Sequence, residues 1–576
     1  MMTDRQLPTR ILSAALLVLA SAGSTLAQQG PPAPGPMDPI SFPEYAEYTL
    51  SNGARVIVVE NNEQPVVTVN LRIKSGSAYD PRGREGLAGS TAGMLNKGTT
   101  ARDSKEIAES IDFLGASISA SAGADWTSAT ATVLTAFLDE ALEIMADMVK
   151  NPTFPEEEFE IERKRALTAL QLELSSAESV AQRRFINGVY GDHPYASLPT
   201  EQSMTEMQRS DMVDFHSTYY RPGNALFVVA GDIGPDDAVK KLEEYFGDWG
   251  TGEVPALIAP APPVRTEREI FFYHKPGSVQ AVIRAGHLLE PATHPDWVSM
   301  DVMMRILGGG SQGWLYRALR QEKGYTYGAY AIVTKRIEQG YFVADTEVRN
   351  EVTDSSLAEL FTLLDKIRDE PVPQEDLELA VNAMTGSFPR QIETPQQVAG
   401  QVATSQLRGL PEDYLEKYRD RVAAVDVGEV QRVAQKHLHP DRLLVVVVGD
   451  ANEIYDQVAR FGEVQLFDVE GNAITLASIA VGASAFVFDP SIIEPVTLVY
   501  DLSMQGNAMG ESTNTITRET VEGREIIKSE ENLSAMGFSV EQTLTFDAAT
   551  FQGIEVISGQ SMGGRSMSVE LSFDGT

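Results

Sequence analysis

The stretch GLAGSTAGMLNKGT, residues 86–99, lies between an alternating strand pattern and two helical patterns. Gly89 and Gly93 each cost a helix about 1 kcal/mol relative to alanine. Apolar residues nevertheless recur at spacings that allow a helix to pack on a sheet. These residues are Leu87, Met94 and Leu95. We therefore expect residues 86–96 to form a helix that is short or less ordered than its neighbours.

Strand and helix patterns alternate on both sides of this stretch. Residues 53–60 (GARVIVVE) are an apolar strand behind an Asn-Gly turn, and apolar residues alternate with Thr68 and Asn70 over residues 67–73. Such alternation is typical of a half-buried strand. Residues 123–135 indicate another β segment. Helical spacing recurs in three further segments. They are residues 107–114, 138–149 and 155–175.

The second half of the chain repeats the first weakly. Residues 215–233 (FHSTYYRPGNALFVVAGDI) and 436–450 (KHLHPDRLLVVVVGD) both combine a helix end, a turn with proline, an apolar strand and Gly-Asp. Residues 247–263 hold four prolines and little periodicity, which indicates a linker. We therefore expect an α+β fold of two duplicated domains, 40–246 and 264–460. Each sheet is expected to be covered on one face by helices.

Strand patterns dominate residues 465–576, which predicts a small all-β module. Glu522-Gly523 is one of its turn signals. The final residues Asp574-Gly575-Thr576 form a hairpin-turn signal without a returning strand, so we expect the chain to be a fragment that ends within the module. Five strands are predicted. They are residues 496–502, 514–521, 525–533, 538–546 and 566–573.

The charge balance is strongly acidic, with 82 acidic and 46 basic residues among 576 and a formal net charge of −36. This argues against nucleic acid, whose affinity comes from Lys and Arg neutralising phosphates, and against an anionic membrane surface. It suits a cationic partner or peptide. The chain has no Cys, which excludes disulfides, thiolate zinc sites and a cysteine nucleophile.

Residues 1–27 have the pattern of a secretory signal peptide. Two arginines precede an apolar run over residues 11–20, and small residues end at Ala27. The run is too short for a comfortable membrane span. Residues 28–39 are rich in Pro and Gly and predict a flexible lead-in. We expect a secreted protein, periplasmic if the source is Gram-negative, with no membrane span after signal removal.

Residues 86–99 strongly resemble the active-site helix of the M16 peptidases, the insulinase-like inverzincins. The family pattern there is G-L-A-H-x-x-E-H-M-L-x-K-G-T, in which two His bind zinc and the Glu activates water. In this chain Gly89 and Gly93 stand at the His positions, and Ala92 stands at the Glu position. None of these three residues offers a metal a side-chain donor atom.

The resemblance extends over about residues 40–455 and implies two duplicated M16-type domains of the LuxS/metallohydrolase-like kind. The family's third zinc ligand is a Glu that would fall near Ala169 and Leu170, with Glu173 about one helical turn away. All seven histidines lie at or beyond His193. The resemblance therefore implies that this chain holds no metal or other cofactor.

Residues 308–331 (GGGSQGWLYRALRQEKGYTYGAYA) resemble the second-domain motif of M16 proteins, in which an Arg and a Tyr reach the substrate. The matching residues are Arg320 and Tyr327. The resemblance implies that both bind a peptide carbonyl and stabilise the oxyanion during catalysis. From the pattern alone, Arg320 is a solvated helix end and Tyr327 is a core residue of a strand.

Two function classes follow from the resemblance. The first is a catalytically silent subunit of a secreted heteromeric M16 zinc peptidase, which supplies chamber wall and substrate-positioning groups. Its partner would be an M16 subunit with an intact H-x-x-E-H and bound zinc, and peptide would be the substrate. The alternative is a non-enzymatic binding or scaffold protein derived from the fold. The pair Arg320 and Tyr327 distinguishes them, because a relic has no physical reason to keep it. An active single-chain enzyme would need the missing three-ligand site.

Overall fold

The computed structural model describes residues 42–479, 493–504, 507–535, 538–549, 553–562 and 565–572. The predicted signal peptide and lead-in, residues 1–27 and 28–39, lie outside this part of the chain, as do the final residues 574–576. The chain divides into two units with a boundary between Leu476 and Ala477.

The first half of the larger unit contains a six-stranded sheet in the order β1-β2-β6-β3-β5-β4. Its strands are β1 Ala46–Thr49, β2 Arg55–Glu60, β3 Val66–Ile73, β4 Ser117–Ala122, β5 Thr127–Leu134 and β6 Ala225–Gly231. Its helices are α1 Leu87–Met94, α2 Ser104–Phe113, α3 Leu138–Lys150, α4 Glu156–Ser175, α5 Ala177–Tyr190, α6 Glu201–Glu206, α7 Arg209–Tyr219 and α8 Pro235–Phe246.

The second half contains another six-stranded sheet in the order β12-β7-β11-β8-β10-β9. Its strands are β7 Glu269–His274, β8 Gln280–Leu288, β9 Thr326–Thr334, β10 Tyr341–Arg349, β11 Leu444–Gly449 and β12 Val464–Asp468. Its helices are α9 Trp297–Gly308, α10 Trp314–Tyr316, α11 Thr353–Asp369, α12 Gln374–Ser387, α13 Pro395–Leu407, α14 Tyr418–Ala423, α15 Val427–His437 and α16 Ala451–Val458. Between α8 and β7, where the linker is predicted, the described chain forms no helix or strand.

The two sheets confirm the predicted duplication. The five strands β2-β6-β3-β5-β4 of the first sheet match β7-β11-β8-β10-β9 of the second in order and direction. In each sheet the first two of these strands are parallel and the remaining neighbours are antiparallel. The outermost strands differ, since β1 pairs antiparallel to β2 whereas β12 pairs parallel to β7. The second sheet therefore extends to Asp468, beyond the predicted boundary at residue 460.

Each half contributes a helix to the sheet of the other half. Helix α5 packs on the second sheet, where Phe185 and Val189 lie in one apolar cluster with Val446 and Val282. Helix α13 packs on the first sheet in the same way. Its cluster contains Val398, Ala399, Val402 and Ala403 with Ile57, Val59, Leu226 and Val228. The expectation of sheets covered on one face is therefore wrong, because these helices bury the second faces.

The exchange of helices also explains why strand β3 is more buried than predicted. Thr68 and Asn70, the polar positions of the expected half-buried strand, are 0% and 4% exposed. Helix α13 contacts β3 and covers this face. The buried polar groups are satisfied by cross-strand partners, since Thr68 bonds Thr132 at 3.0 Å and the Asn70 amide donates to Thr130 Oγ1 at 2.8 Å. Such pairing removes most of the cost of burying them.

The C-terminal module is a six-stranded antiparallel meander in sequence order. A two-residue turn at Glu522 and Gly523, with φ of 51° and 83°, joins the second and third strands as the sequence predicts. One strand of the module, Gly553–Met562, is absent from the sequence prediction. The strands are β13 Val496–Met504, β14 Asn507–Val521, β15 Arg524–Ala535, β16 Phe538–Asp547, β17 Gly553–Met562 and β18 Arg565–Ser572. Among the described residues, no helix has the length and apolarity that a membrane span requires.

Candidate functional site

Helix α1 occupies the position of the degenerate zinc motif. It spans eight residues and is therefore short, as predicted. Its N-terminus begins at Gly86, whose φ of +97° is left-handed and favours glycine. Asp80 accepts the N–H groups of Gly86 and Ala88 at 2.8 and 2.7 Å and so caps the helix. Burial raises the pKa of Asp80 to about 7, because the surroundings disfavour its charged form.

The three motif positions of α1 face in two directions. Ala92 is buried at 2% exposure. Gly89 and Gly93 are exposed, and a Cβ atom added to either would meet no atom within 4 Å. Room for larger side chains therefore exists beside both glycines, but the helix offers no metal donor there.

Helix α4 lies opposite Gly89 and Gly93 across a cavity of about 310 Å³. It lines this cavity with Phe159, Glu162, Arg163 and Ala166. Ala169, Leu170 and Glu173, the segment predicted to correspond to the third ligand, do not line it. The residues of α4 that face the cavity, 159–166, all precede that segment on the helix.

The residues around this cavity do not fit a zinc ion. Glu162 is the one carboxylate among the described lining residues, and it pairs with Lys97 at 3.1 Å and with Arg165 at 2.7 Å. A catalytic zinc site needs three protein ligands that are free to bind. One engaged carboxylate opposite two glycines does not meet that requirement.

A second group of potential ligands lies in the second half. His294, Asp296 and His437 have ligand atoms within 4.8 Å of one another. Asp296 is already held by Arg432 at 2.7 Å, Lys436 at 2.9 Å and His437 at 2.7 Å. Hydrogen bonds from these groups, that of Arg432 foremost, hold the pKa of Asp296 well below its usual range. Two cations on one carboxylate disfavour a divalent metal, so this group is best described as an ion-pair cluster.

The predicted pair Arg320 and Tyr327 lies on the surface of the second half. Arg320 belongs to a π-helical turn, Arg317–Glu322, that continues helix α10. Ala318 and Leu319 in this turn are buried, and Arg320 is exposed. The guanidinium carbon of Arg320 lies 5.5 Å from the ring centroid of Tyr327. The two side chains are therefore neighbours, which agrees with a shared role.

A β-bulge sets the direction of Tyr327 on the edge strand β9. Across the β9–β10 ladder, Thr326 pairs with Val348 and Ala329 with Thr346. Tyr327 and its successor therefore lie opposite a single residue of β10, which is the geometry of a bulge. The Tyr327 side chain is 85% exposed, which contradicts its alternative interpretation as a core residue.

Both side chains keep donors available. Within the part of the chain that the structure describes, neither the Arg320 guanidinium nor the Tyr327 hydroxyl makes a hydrogen bond or an ion pair. The backbone around them is anchored instead, because Trp314 Nε1 donates to Asp376 at 2.7 Å and Arg317 pairs with Asp376 at 2.9 Å. A fixed turn that presents two side chains with free donor groups is suited to binding a carbonyl or an oxyanion.

The sequence interpretation missed the methionine floor of the cavity beside α1. Met94, Met204, Met207 and Met212 line it, together with Phe159. The available signal is a cluster of three methionines within residues 204–212, next to the resemblance to a zinc helix. Because these residues are distant in sequence from α1 and α4, local periodicity does not show that they meet.

The two sheets of matching topology, with a helix at the motif position, define a duplicated α+β fold of the metallopeptidase type. The chain belongs to the peptidase M16 family. The model described as insulinase (peptidase family M16) matches residues 55–197, and the model described as the peptidase M16 inactive domain matches residues 206–384. The first match lies within the first half, and the second runs from α7 and β6 of the first half into helix α12 of the second.

Several bacterial proteins are similar to this chain over most of their length. An uncharacterized zinc protease of Bacillus subtilis is 24% identical over 70% of this chain and 98% of its own. The zinc protease PqqE of Helicobacter pylori is 24% identical over 74% of this chain and 96% of its own. A crystal structure of a peptidase M16 inactive domain from Pseudomonas fluorescens superposes with a TM-score of 0.67 at 25% identity, covering 70% of this chain and 98% of that one.

Proposed function

We propose that this chain is a catalytically silent subunit of a heteromeric M16 zinc peptidase. In this proposal it forms part of the chamber wall, and Arg320 and Tyr327 hydrogen-bond the peptide substrate at the zinc site of a partner. The partner is an M16 subunit with an intact H-x-x-E-H. We also propose that the protein is secreted, and periplasmic in a Gram-negative source, from the signal-peptide pattern of residues 1–27.

The observation that carries the proposal is the contrast between two sites on one chain. The motif helix has no donor at Gly89, Ala92 or Gly93, whereas Arg320 and Tyr327 are adjacent, exposed and free of other polar partners in the described residues. Arg offers a planar fork of donors, and Tyr offers a single O–H. Both can stabilise negative charge on a carbonyl oxygen as a nucleophile attacks it.

The test combines metal analysis with reconstitution. The purified chain is expected to contain no stoichiometric zinc and to hydrolyse no peptide by itself. Mixed with an M16 homologue from the same source that carries H-x-x-E-H, it is expected to form a complex whose peptidase activity exceeds that of the homologue. About one tightly bound zinc per chain, or peptide hydrolysis by this chain alone, would sink the proposal.

The second candidate is a non-enzymatic binding or scaffold protein. The observation that favours it is the apolar floor where the family has its zinc ligands, because such a floor suits binding rather than hydrolysis. It predicts that the reconstituted mixture gains no activity and that changes to Arg320 and Tyr327 are without effect on the partner.

A further inference from the structure

The cavity beside helix α1 has a buried apolar floor and an accessible edge. Met94, Phe159, Met207 and Met212 are each at most 2% exposed, whereas Gly89 and Gly93 at the edge are exposed. Pro199 and Met204 complete the apolar wall. The two glycines leave the entrance free, since an added Cβ at either position would meet no atom within 4 Å.

The charged side chains in the wall are ion-paired within this chain, and the buried Nε of Arg163 is without a hydrogen-bond partner among the described residues. Glu162 pairs with Lys97 and Arg165. Arg163 pairs with Glu160 at 3.1 Å and donates to the carbonyl of Met207 at 2.6 Å, and its guanidinium carbon lies 4.4 Å from the centroid of the Phe159 ring. A charged ligand would therefore lose its hydration and find each charge in the wall already ion-paired. The wall selects for an uncharged group.

The volume limits the size of that group. An engineered apolar cavity of about 150 Å³ binds benzene. The cavity beside α1, at about 310 Å³, is roughly twice as large and admits a substituted benzene ring or one aromatic side chain. Thioethers line it on several sides, and methionine adapts its shape and makes favourable contacts with aromatic rings.

From this geometry we propose that the degenerate zinc site is a binding pocket for a compact, uncharged aromatic or branched aliphatic group. The group enters past Gly89 and Gly93 and packs on the methionine floor. It is either a small free molecule or the side chain of a peptide, and the chemistry of recognition is the same for both. The proposal stands apart from the heteromeric peptidase function, since it needs no partner subunit.

Methionine methyl NMR on the full chain provides a direct test. With ¹³C-methyl methionine, four of the 18 methionines report on the cavity, and Met→Leu variants assign their signals. Toluene is expected to shift the four cavity methyl signals by ring current, with a Kd on the order of 1 mM for one buried ring. If saturating toluene leaves all four signals in place, the proposal is wrong.

Variants that fill the cavity test the location of the bound ring, and a leucine at a glycine elsewhere is the matched control. Gly93→Leu and Gly89→Leu each place a side chain in the cavity and are expected to abolish the shifts. Gly386→Leu changes an exposed glycine of helix α12 that also has open space around its Cβ, and it is expected to leave the shifts intact. Shifts that persist in both filled variants would place toluene elsewhere and overturn the pocket.

A second pair of compounds distinguishes a small free molecule from a peptide side chain as the natural ligand. N-acetyl-phenylalanine amide carries the ring on a peptide backbone, and N-acetyl-alanine amide is its control. If both toluene and the phenylalanine amide shift the cavity methyl signals, the pocket accepts peptide side chains. If toluene alone does so, the pocket serves small free molecules. Equal shifts from the alanine amide would show that the pocket does not select apolar groups and would contradict the proposal.

Discussion

At the level of single side chains, the two motifs of this chain differ in the donor groups that they retain. The positions that would hold and activate zinc carry hydrogen or methyl side chains at Gly89, Ala92 and Gly93. Arg320 and Tyr327 keep their donors and lie side by side. This contrast between the two motifs is the basis of the proposal that Arg320 and Tyr327 serve the zinc site of a partner subunit.

Tyr327→Phe tests the catalytic contribution of one hydroxyl. The ring is 85% exposed, so the free energy of unfolding is expected to change by less than about 0.5 kcal/mol. In the reconstituted pair, kcat is expected to fall by roughly 10²–10³, the usual loss for one oxyanion donor. Tyr330→Phe, on the same strand, is the matched control and should leave kcat unchanged. Should Tyr327→Phe and Arg320→Lys both keep full activity, the scaffold function is preferred.

His287 makes stability depend on pH. Its Nδ1–H donates to the Leu288 carbonyl at 2.8 Å and its Nε2 accepts the His439 N–H at 3.1 Å, so the folded state holds it neutral. Burial lowers the pKa of His287 to about 4. The unfolded chain therefore binds a proton below about pH 6.5 that the folded chain does not, and stability is lost as pH falls from about 6.5 to 4.

The measurement is the free energy of unfolding of wild type and His287→Gln at pH 7, 5.5 and 4.5. The wild type is expected to lose up to about 3 kcal/mol more than the variant over this range. Parallel pH profiles for the two proteins would show that His287 titrates alike in the folded and unfolded states.

Among the secondary-structure elements, helix α1 is weakened by its own sequence. Gly89 and Gly93 add backbone freedom to the unfolded chain, and a methyl group added to either would contact no neighbour. The sequence prediction of a short helix is confirmed, and its ends are set by Gly86 and Leu95. The helix persists because Leu87 and Met94 are buried in the core of the first half.

Gly89→Ala and Gly93→Ala are expected to stabilise the protein. Each adds about 0.5–1 kcal/mol to the free energy of unfolding, because alanine restricts the unfolded chain and its Cβ meets no neighbour. Gly86→Ala is the control with the opposite sign, since its φ of +97° strains an L-residue. Chemical denaturation measures the free energy of unfolding of the three variants. Destabilisation by both α1 variants would show that the cavity edge is packed and would contradict this prediction.

Helix α5, which the first half contributes to the second sheet, packs closely against strand β8 of that sheet. A Cβ on Gly286 of strand β8 would lie 1.9 Å from the Phe342 carbonyl oxygen and 2.8 Å from Cζ of Phe185, which belongs to the exchanged helix α5. Gly286→Ala is therefore expected to lower the free energy of unfolding by about 2 kcal/mol or more. Gly386→Ala, on an exposed helical turn, should be neutral or stabilising. Equal stability of the two variants would contradict this packing.

For the chain as a whole, the two units predict independent folding. The exchanged helices tie both halves of residues 42–476 into one unit, whereas the meander that follows pairs its strands only with one another among the described residues. A chain that ends at Leu476 is expected to keep its circular dichroism and its thermal midpoint within a few degrees. Its collapse to an unfolded or aggregated state would show that the module completes the core of the larger unit.

Local sequence alone determined the class of fold and the loss of zinc ligands. Strand and helix periods, Gly-Asp after buried strands and the residues at 89, 92 and 93 are properties of short segments, so they can be read without a structure. The order of the motifs likewise located Arg320 and Tyr327, although neither their exposure nor their 5.5 Å separation follows from it.

The tertiary structure decided what depends on distant segments meeting. Burial of Thr68 and Asn70 requires helix α13, which lies more than 300 residues further along the chain. The exposure of Tyr327 depends on a bulge against β10, and the apolar pocket joins Met94, Phe159 and Met207 from three separate elements. Local patterns carry no information on such long-range contacts, because packing free energy selects them only once the whole core has formed.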